Sequence, residues 1–356
     1  MGRDTAMRST LNALPVQSME ILTTEELKQA CAQSEPFEFG DPYLGRVEFN
    51  FQETFYPLGF PVNLSTNSSQ VFEVAAECWS GSQKLFAVEP IELQIGVSEG
   101  TSSICPGPPV CRMKGHLACN IADAENFTIS DYDQGFSFVW VTRAAMEHPG
   151  YFHFFFLTST VMGQIANRYA WGIHAACVEL QGAGVLLCGD SGAGKTTLSY
   201  ACARAGWTYI TDDGSYLVDG REDRLIAGDS SRVRFRSASE SIFPELRGMP
   251  VLQRAEVGKP SIELATDSSR RLLKATAARV RHIVFLKRGL QRQELVPFPV
   301  EAARLYMLQR ASLVPILRER QTKMFDLLLE GGALELRYTD LGWAVDRLSQ
   351  LVREGY

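Results

Sequence analysis

The clearest pattern of apolar and polar positions lies in the middle of the chain. An apolar run at Val185–Cys188 predicts a buried strand, and a glycine-rich segment follows it at once. A helical pattern then runs from Thr196 to about Ala205, where Gly206 stops it. The β-prone residues Trp207–Thr211 predict a second short strand. The order of strand, glycine loop, helix and strand is typical of an α/β domain.

Residues 37–141 show a different pattern, in which short segments alternate apolar and polar side chains between turns rich in Gly, Pro, Asn and Ser. Alternation with period two is typical of strands that bury one face. We therefore predict an antiparallel β-rich domain, in which we find no catalytic set of residues. The predicted strands are Arg46–Phe51, Gln70–Val74, Ile91–Ile95 and Phe136–Val141.

Other segments on both sides of the glycine loop also carry clear patterns. Residues 142–172 predict a largely helical bridge, and residues 214–220 with 225–228 predict a hairpin. Nearer the carboxyl end, apolar residues recur at helical spacing. The predicted elements there are helices at 300–317, 318–329 and 341–352 and a strand at 334–338.

These patterns divide the chain into two predicted domains. A β-rich accessory domain at residues 1–147 precedes an α/β domain at residues 148–356, which includes the carboxyl-terminal helices. The accessory domain begins with an irregular stretch at 1–35, which contains a predicted helix at 23–32. A length of 356 residues fits two domains better than one.

The composition, with 45% hydrophobic and 21% charged residues, is that of an ordinary globular protein. The first 18 residues lack the apolar core of a signal peptide, and the longest apolar run, at 151–163, is shorter than a bilayer span. We therefore expect a cytoplasmic protein without a membrane partner.

The eight cysteines form no C-x-x-C pair. Cys177, Cys188 and Cys202 lie in apolar elements, so we expect buried free thiols. A second group of residues could in principle bind zinc, namely Cys105, Cys111, Cys119 and His116. We do not favour a zinc site, because their spacing matches no structural zinc template.

Charge is distributed unevenly, because residues 232–323 hold 19 of the 35 Lys and Arg residues but 8 of the 41 Asp and Glu residues. Most of these cations are expected to be solvated. Arg234, Arg236 and Arg247 are candidates for contact with a triphosphate or an anionic substrate. Acidic residues dilute the basic ones and no base-stacking motif accompanies them, so we expect no nucleic-acid partner.

The segment Gly189–Thr196 matches the phosphate-binding motif G-x-x-x-x-G-K-S/T between a predicted strand and a predicted helix. Its glycines allow the backbone N–H groups to face phosphate oxygens, and the helix N-terminus adds partial positive charge. Lys195 is expected to bridge the terminal phosphates and Thr196 to ligate Mg²⁺. The predicted nucleotide-binding residues are Gly189, Asp190, Ser191, Gly192, Ala193, Gly194, Lys195, Thr196, Thr197 and Arg247.

Asp212 and Asp213 end the second short strand, at the edge of the sheet where α/β proteins bind ligands. In common phosphate-loop ATPases the metal-side acid ends a later strand, but the best later strand, Ile283–Leu286, runs into Lys287–Arg288. The Asp pair is therefore the predicted source of the carboxylate that phosphoryl transfer needs near the incoming hydroxyl. The spacing leaves open which Asp serves.

Four ordered segments over about 75 residues resemble the kinase domain of the HPr kinase/phosphorylase family and its bacterial relatives. They are His174–Leu180 with Gly182–Gly184, the glycine loop, the Asp pair, and Glu245–Gly248, which is similar to an E-I/L-R-G signature. The resemblance covers residues 150–290, and we find no counterpart of that family's amino-terminal domain.

The resemblance implies a Mg-ATP-dependent kinase that transfers a phosphoryl group to a hydroxyl, in that family a serine of a small carrier protein. It implies that Lys195 holds the γ-phosphate, that Asp212 or Asp213 takes the proton, and that His174 assists. The magnesium ion would be held by Thr196 and Glu245, with Asp213.

The resemblance leaves the phosphoryl acceptor open, as a protein, a peptide or a small metabolite, and it implies a homo-oligomer. The family also uses a downstream arginine for phosphorolysis, for which Arg288 and Arg292 are candidates. The alternative function is a nucleotide-binding regulatory module with weak or no catalysis. The joint presence of the implied catalytic residues favours an enzyme.

Overall fold

The computed structural model describes residues 47–252, 260–267, 272–289, 292–309 and 315–356. The helix predicted at 23–32 and the irregular start lie outside the described residues. The described chain is a mixed α/β fold with three sheets. Residues 48–356 cluster as one unit, and the division at 147/148 stays a prediction.

The first sheet has seven strands in the order β1-β2-β3-β7-β6-β5-β4. One helix, α1, spans Ser69–Trp79 between the second and third strands. The strands are β1 Phe51–Phe55, β2 Val62–Thr66, β3 Ile91–Ser98, β4 Val110–Lys114, β5 Leu117–Ile121, β6 Phe127–Asp131 and β7 Phe136–Thr142.

Two of the four strands predicted in this region are confirmed, namely those at Ile91–Ile95 and Phe136–Val141. The strand predicted at Arg46–Phe51 is displaced, because residues 47–50 have no regular structure and β1 begins at Phe51.

The strand predicted at Gln70–Val74 is wrong, since these residues belong to α1. The segment alternates apolar and polar residues, but the side chains that it and its neighbours bury are Val71, Ala75 and Trp79. Positions four apart lie on one face of a helix, so burial follows the helical period.

The prediction of an antiparallel sheet is also wrong in part. β1 and β2 are antiparallel, as are the pairs among β4, β5, β6 and β7, but β3 runs parallel to both of its neighbours, β2 and β7. Parallel neighbours need a long crossover connection, and α1 lies in one of these connections. Because the sequence pattern predicts a strand at Gln70–Val74, the prediction misses this crossover helix.

The helical bridge predicted at 142–172 is largely confirmed. Short helices α2 (Arg143–Met146) and α3 (Pro149–Phe152) lead through a π-helical stretch at His153–Thr158 into α4 (Ser159–Arg168). Buried side chains of this bridge pack in one apolar cluster with residues of the first sheet and with Ala170, Val218 and Ala227.

The second sheet has nine strands, ordered β11-β9-β10-β17-β13-β12-β8, with β19 against β17 and β18 against β19. A third, small sheet consists of β14 (Arg232–Phe235), β16 (Ser261–Ala265) and β15 (Val251–Leu252). The strands of the second sheet are β8 Ala170–His174, β9 Ala176–Leu180, β10 Ala183–Cys188, β11 Thr208–Thr211, β12 Gly214–Val218, β13 Leu225–Gly228, β17 Ala277–Arg288, β18 Glu294–Phe298 and β19 Ala333–Tyr338.

The predictions for the second sheet and its helices are confirmed in element type. The buried strand, the hairpin of β12 with β13, and the late strand in β17 are all present. The helices are α5 Lys195–Arg204, α6 Val300–Leu308, α7 Pro315–Leu329 and α8 Leu341–Glu354. The boundary predicted between helices 300–317 and 318–329 is wrong, because α6 ends at Leu308 and α7 already begins at Pro315, and residues 310–314 lie outside the described residues.

Strands β10, β17 and β19 run parallel at the centre of this sheet. All six residues of β10 are buried, which explains why its sequence is continuously apolar. Helix α5 adds Leu198 and Cys202 to the apolar cluster that contains Val185 and Leu187. The carboxyl ends of the three parallel strands therefore share one edge of the sheet, and we call this edge the loop edge.

Candidate functional site

The glycine loop connects β10 to α5 at the loop edge. Gly189, Gly192 and Gly194 have φ angles of 144°, 93° and 100°, which L side chains rarely adopt. Gly194 is the left-handed residue directly before α5, so the loop backbone turns sharply into the first helical turn. Every predicted loop glycine therefore occupies a conformation that requires glycine.

Lys195 folds back onto the loop and is only 6% exposed. Its Nζ donates to the carbonyl of Gly189 at 2.6 Å and lies 3.3 Å from the carbonyl of Asp190. Directly after β14, the Arg236 guanidinium donates to Ser191 Oγ at 2.9 Å. Two cationic side chains thus lie on the loop, as expected for a site that receives an anion.

The Asp pair also lies at the loop edge. β11 is antiparallel to β9, and β9 is antiparallel to β10, so β11 and β10 point the same way. Thr211 ends β11, and Asp212 and Asp213 follow at its carboxyl end. The sheet therefore places the acidic pair and the glycine loop at the same edge, with one strand between their two strands.

The two carboxylates have different surroundings. Asp212 is buried and accepts a hydrogen bond from the backbone N–H of Arg234 at 3.1 Å. Burial raises the pKa of Asp212 to about 6, against the opposing effects of this hydrogen bond and of the Arg234 charge. Asp213 has a side chain that is 63% exposed. The two carboxylates therefore differ in exposure, which the strand spacing left open.

His174 lies beside Asp213, with 2.9 Å between Nδ1 and Oδ1. The alignment of the two groups does not meet the geometry of a hydrogen bond, and the pair is best described as a close electrostatic contact. β8 ends at His174 and pairs with β12, so that His174 lies opposite Gly214, the residue after Asp213. The register of two strands therefore fixes this contact.

Tyr306 of α6 joins His174 to the loop. Its hydroxyl accepts from the Gly189 N–H at 3.1 Å and lies 2.7 Å and 2.9 Å from the carbonyls of His174 and Gly189. It can donate to one of these carbonyls at a time. Tyr306 thus ties the loop backbone to the backbone of His174, whose imidazole lies beside Asp213.

Sequence reasoning missed Tyr306. The residue lies more than 100 positions after the loop, in a segment whose pattern predicts only an amphipathic helix. No spacing in the sequence marks a tyrosine whose role is to contact two backbone segments, because the contact arises from the packing of α6 against the sheet.

Glu245 contacts α5 beyond the loop. Its Oε1 accepts from the Tyr200 hydroxyl at 2.9 Å and lies 3.5 Å from Arg204 Nε. Thr196, Tyr200 and Arg204 share one face of the helix at four-residue spacing. The carboxylate therefore lies one to two helical turns along the face that begins with the Thr196 hydroxyl.

The arginines predicted near the triphosphate behave differently from one another. Arg236 reaches the loop, whereas the side chain of Arg234 lies 3.8 Å from Glu263. Arg247 is exposed, and its side chain makes no hydrogen bond or ion pair with a loop residue in the described chain. Only Arg236 thus joins the loop directly.

The cysteines of the α/β region are buried, as predicted. Burial raises the pKa of Cys188 to about 12 and raises the pKa of Cys177 and Cys202 further, so all three are neutral thiols at ordinary pH. Within the described residues, no group of three or more His, Cys, Asp or Glu side chains is placed to hold a metal ion by itself.

Comparisons with known proteins add little to this geometry. No family model matches the chain, and no curated protein matches it. Among solved structures, the chain is similar to the HPr(Ser) kinase/phosphatase from Coxiella burnetii, with 14% identity and a TM-score of 0.27, over 52% of this chain and 99% of that one. A likeness this weak carries no argument about function. Across the described residues, no helix is long and apolar enough to cross a membrane.

Proposed function

We propose that this protein is a Mg-ATP-dependent kinase that transfers the γ-phosphoryl group to a hydroxyl. The observation that carries the proposal is the proximity of the glycine loop to Asp213. The Tyr306 hydroxyl contacts the backbone of both Gly189 and His174, and the His174 ring lies beside Asp213. A loop of this sequence suits phosphates, and an exposed carboxylate beside it suits the proton of an incoming hydroxyl.

The loop would hold the triphosphate through its backbone N–H groups and the N-terminus of α5. Lys195 would leave the carbonyls of Gly189 and Asp190 and move its ammonium group to the terminal phosphates, since a phosphate is the stronger acceptor. Arg236, which already contacts Ser191, would add a second positive charge on the same anion. Positioning and charge neutralisation of this kind supply most of the catalysis in phosphoryl transfer.

Asp213 is the proposed base, because its carboxylate is exposed and faces His174. Near the phosphates, the His174 imidazole would orient this carboxylate towards the acceptor. Asp212 is buried and accepts from the Arg234 backbone, so its proposed role is to fix the third sheet beside the end of β11. The assignment is a proposal about roles that strand spacing leaves open.

Magnesium would neutralise charge on the phosphates and orient them. The donor set suits it, because Mg²⁺ takes one or two carboxylates together with phosphate oxygens and water. The Thr196 hydroxyl opens the face of α5 along which Glu245 lies, and these two side chains are the proposed ligands. Glu245 would turn from Tyr200 and Arg204 to reach the ion, whereas Asp213 is kept as the base.

The first test is calorimetry of Mg-ATP binding. Lys195→Ala removes the cation on the loop and should weaken Mg-ATP binding by at least about tenfold, in line with the ~1.5–3 kcal/mol of a charge-assisted hydrogen bond. Lys114→Ala, which removes an exposed cation from β4 of the first sheet, is the matched control and should bind as the wild type does. Equal affinity of the wild type and both variants for Mg-ATP would contradict nucleotide binding at the glycine loop.

The second test concerns transfer and the acceptor. The protein is incubated with γ-labelled ATP and a pool of proteins or metabolites, and the labelled product is isolated. We expect a labelled serine or other hydroxyl, and we expect Asp213→Asn to lose labelling while it retains ATP. Binding without any transfer would instead favour the nucleotide-binding regulatory module.

A further inference from the structure

The side of the glycine loop away from the Asp pair carries an arginine and a tyrosine that the proposed chemistry does not use. Arg288 ends β17 and Tyr338 ends β19, and the two residues are register partners in the parallel pairing of these strands. The Arg288 guanidinium carbon lies 5.9 Å from the centre of the Tyr338 ring. Both side chains therefore reach the loop edge together.

This pair packs against Gly194, the last glycine of the loop. A Cβ atom built at Gly194 would lie 2.7 Å from the Tyr338 hydroxyl and 3.0 Å from Arg288 Cδ. Tyr338 is only 1% exposed, and its hydroxyl has no hydrogen-bond partner among the described residues, which is unusual for a buried polar group. Burial raises the pKa of Tyr338 to about 12, so the hydroxyl stays neutral.

Arg288 is exposed and carries an unneutralised charge. In the described chain no carboxylate lies within ion-pair distance of it, whereas its neighbours Arg292 and Arg337 both contact Glu294, at 3.1 Å and 2.8 Å. A planar guanidinium that rests on an aromatic ring and faces solvent on its other side can stack on a second planar group.

The topology indicates which part of a nucleotide would meet this arginine. Asp213 follows β11, on the β9 and β11 side of the loop, with the His174 ring beside it, and the proposed transfer places the γ-phosphate there. Arg288 and Tyr338 lie on the β17 and β19 side. With the phosphates in the loop, the nucleoside end of the molecule then points away from the acceptor, towards Arg288.

We propose that Arg288 stacks on the base of the bound nucleotide, and that the Tyr338 ring is a positioning residue that holds the guanidinium against Gly194. The inference rests on the proposed function and adds to it a base subsite at the carboxyl ends of β17 and β19. Such ends are where α/β proteins bind ligands. Stacking on a base face selects for a nucleoside over a bare polyphosphate but does little to separate one purine from another.

The test compares two ligands, Mg-ATP and magnesium tripolyphosphate, which has the phosphates without a base. The wild type should bind Mg-ATP more tightly. Arg288→Ala should weaken Mg-ATP binding about fivefold, as expected for a cation–π contact of ~1 kcal/mol. Its affinity for tripolyphosphate should stay within about twofold of the wild-type value. Arg288→Gln, which keeps a polar side chain without the charge, should weaken Mg-ATP binding to a similar extent. Arg281→Ala is the matched control, since Arg281 is exposed on the same strand seven residues before Arg288.

The positioning role of Tyr338 has its own readout. Tyr338→Phe keeps the ring and should keep the preference for Mg-ATP over tripolyphosphate. Tyr338→Leu removes the ring and should lose this preference to the same extent as Arg288→Ala. If Tyr338 had only a structural role, Tyr338→Leu would weaken the binding of Mg-ATP and of tripolyphosphate equally. Tyr338→Phe would then not restore the binding of Mg-ATP selectively.

The outcomes separate this inference from the proposed function. If Arg288→Ala weakens the binding of both ligands equally, Arg288 contacts the phosphates and the base subsite is overturned. If Arg288→Ala weakens the binding of neither ligand, the base subsite is overturned as well. A wild type that binds tripolyphosphate as tightly as Mg-ATP would overturn the base subsite and leave the phosphate loop intact. A wild type that binds neither ligand would overturn both proposals.

Discussion

The first and second sheets differ in what their polar side chains connect. In the first sheet, the Asp131 carboxylate accepts from the backbone of its own turn, at Asp133 and Gln134, and Asn67 bonds to the backbone of Val97 on the neighbouring strand. At the loop edge of the second sheet, Tyr306 and His174 join segments that are far apart in the sequence. The polar groups of the first sheet thus link turns and neighbouring strands, whereas those of the second sheet connect the glycine loop to the strand that ends at His174.

Parallel strand ends meet in both sheets, so the feature that sets the second sheet apart is the glycine loop that follows one of these ends. The carboxyl ends of β10, β11 and β17 share an edge, so the residues after each strand meet there. In β4–β7, antiparallel neighbours send consecutive strand ends to opposite edges. The solvent face of these strands instead exposes apolar side chains, among them Leu117, Ile121 and Ile129.

The largest expected effect that sharpens this comparison is the pH dependence of stability that Asp212 confers. Its folded pKa is about 6, above the usual value of 3.8, so the folded protein binds the proton more tightly than the unfolded chain does. The contribution is therefore most favourable below pH 4 and is lost as the pH rises to about 6. By the 1.36 kcal/mol per pKa unit of linkage, the change is at most about 3 kcal/mol.

Asp212→Asn keeps an acceptor for the Arg234 N–H but removes the charge. Urea unfolding of this variant between pH 4 and pH 7 should lack the downward slope of the wild type, and the variant should be more stable at pH 7. A slope that persists in the variant would show that another group is responsible.

The next effect compares glycines of the two sheets. Gly194 has φ of 100° and lies against Tyr338, whereas Gly115, in the turn between β4 and β5, has φ of 61° and open space where a Cβ would lie. Gly194→Ala adds a collision to backbone strain and should destabilise the protein by about 2 kcal/mol, against about 1 kcal/mol for Gly115→Ala. Thermal unfolding of both variants measures the difference, and equal losses would contradict close packing at the loop.

The smallest effect compares two tyrosine hydroxyls. Tyr306→Phe removes an oxygen that contacts the backbone of Gly189 and His174, and Tyr151→Phe removes one that donates only to the Gly107 carbonyl, at 2.7 Å. We expect losses of unfolding free energy of about 2 and about 1 kcal/mol respectively. The Tyr306 variant alone should also weaken Mg-ATP binding. Unchanged affinity would show that the loop keeps its shape without this contact.

The element types of the second sheet could be predicted because its local signals agree with one another. The run Val185–Cys188 is apolar throughout since β10 is buried on both faces, and the loop glycines mark the positive φ angles that the turn needs. In the first sheet, Gln70–Val74 alternates like a strand yet is helical, because packing of Val71, Ala75 and Trp79 overrides the local pattern.

The sequence by itself determined the loop, the helix after it and the acidic pair, since short-range spacing and backbone preference fix them. Only the tertiary structure decided that Asp212 is buried while Asp213 meets His174, that Tyr306 connects His174 to Gly189, and that Arg288 and Tyr338 flank Gly194. These contacts depend on strand order and register, which bring distant residues to one edge. No local pattern along the chain encodes that order.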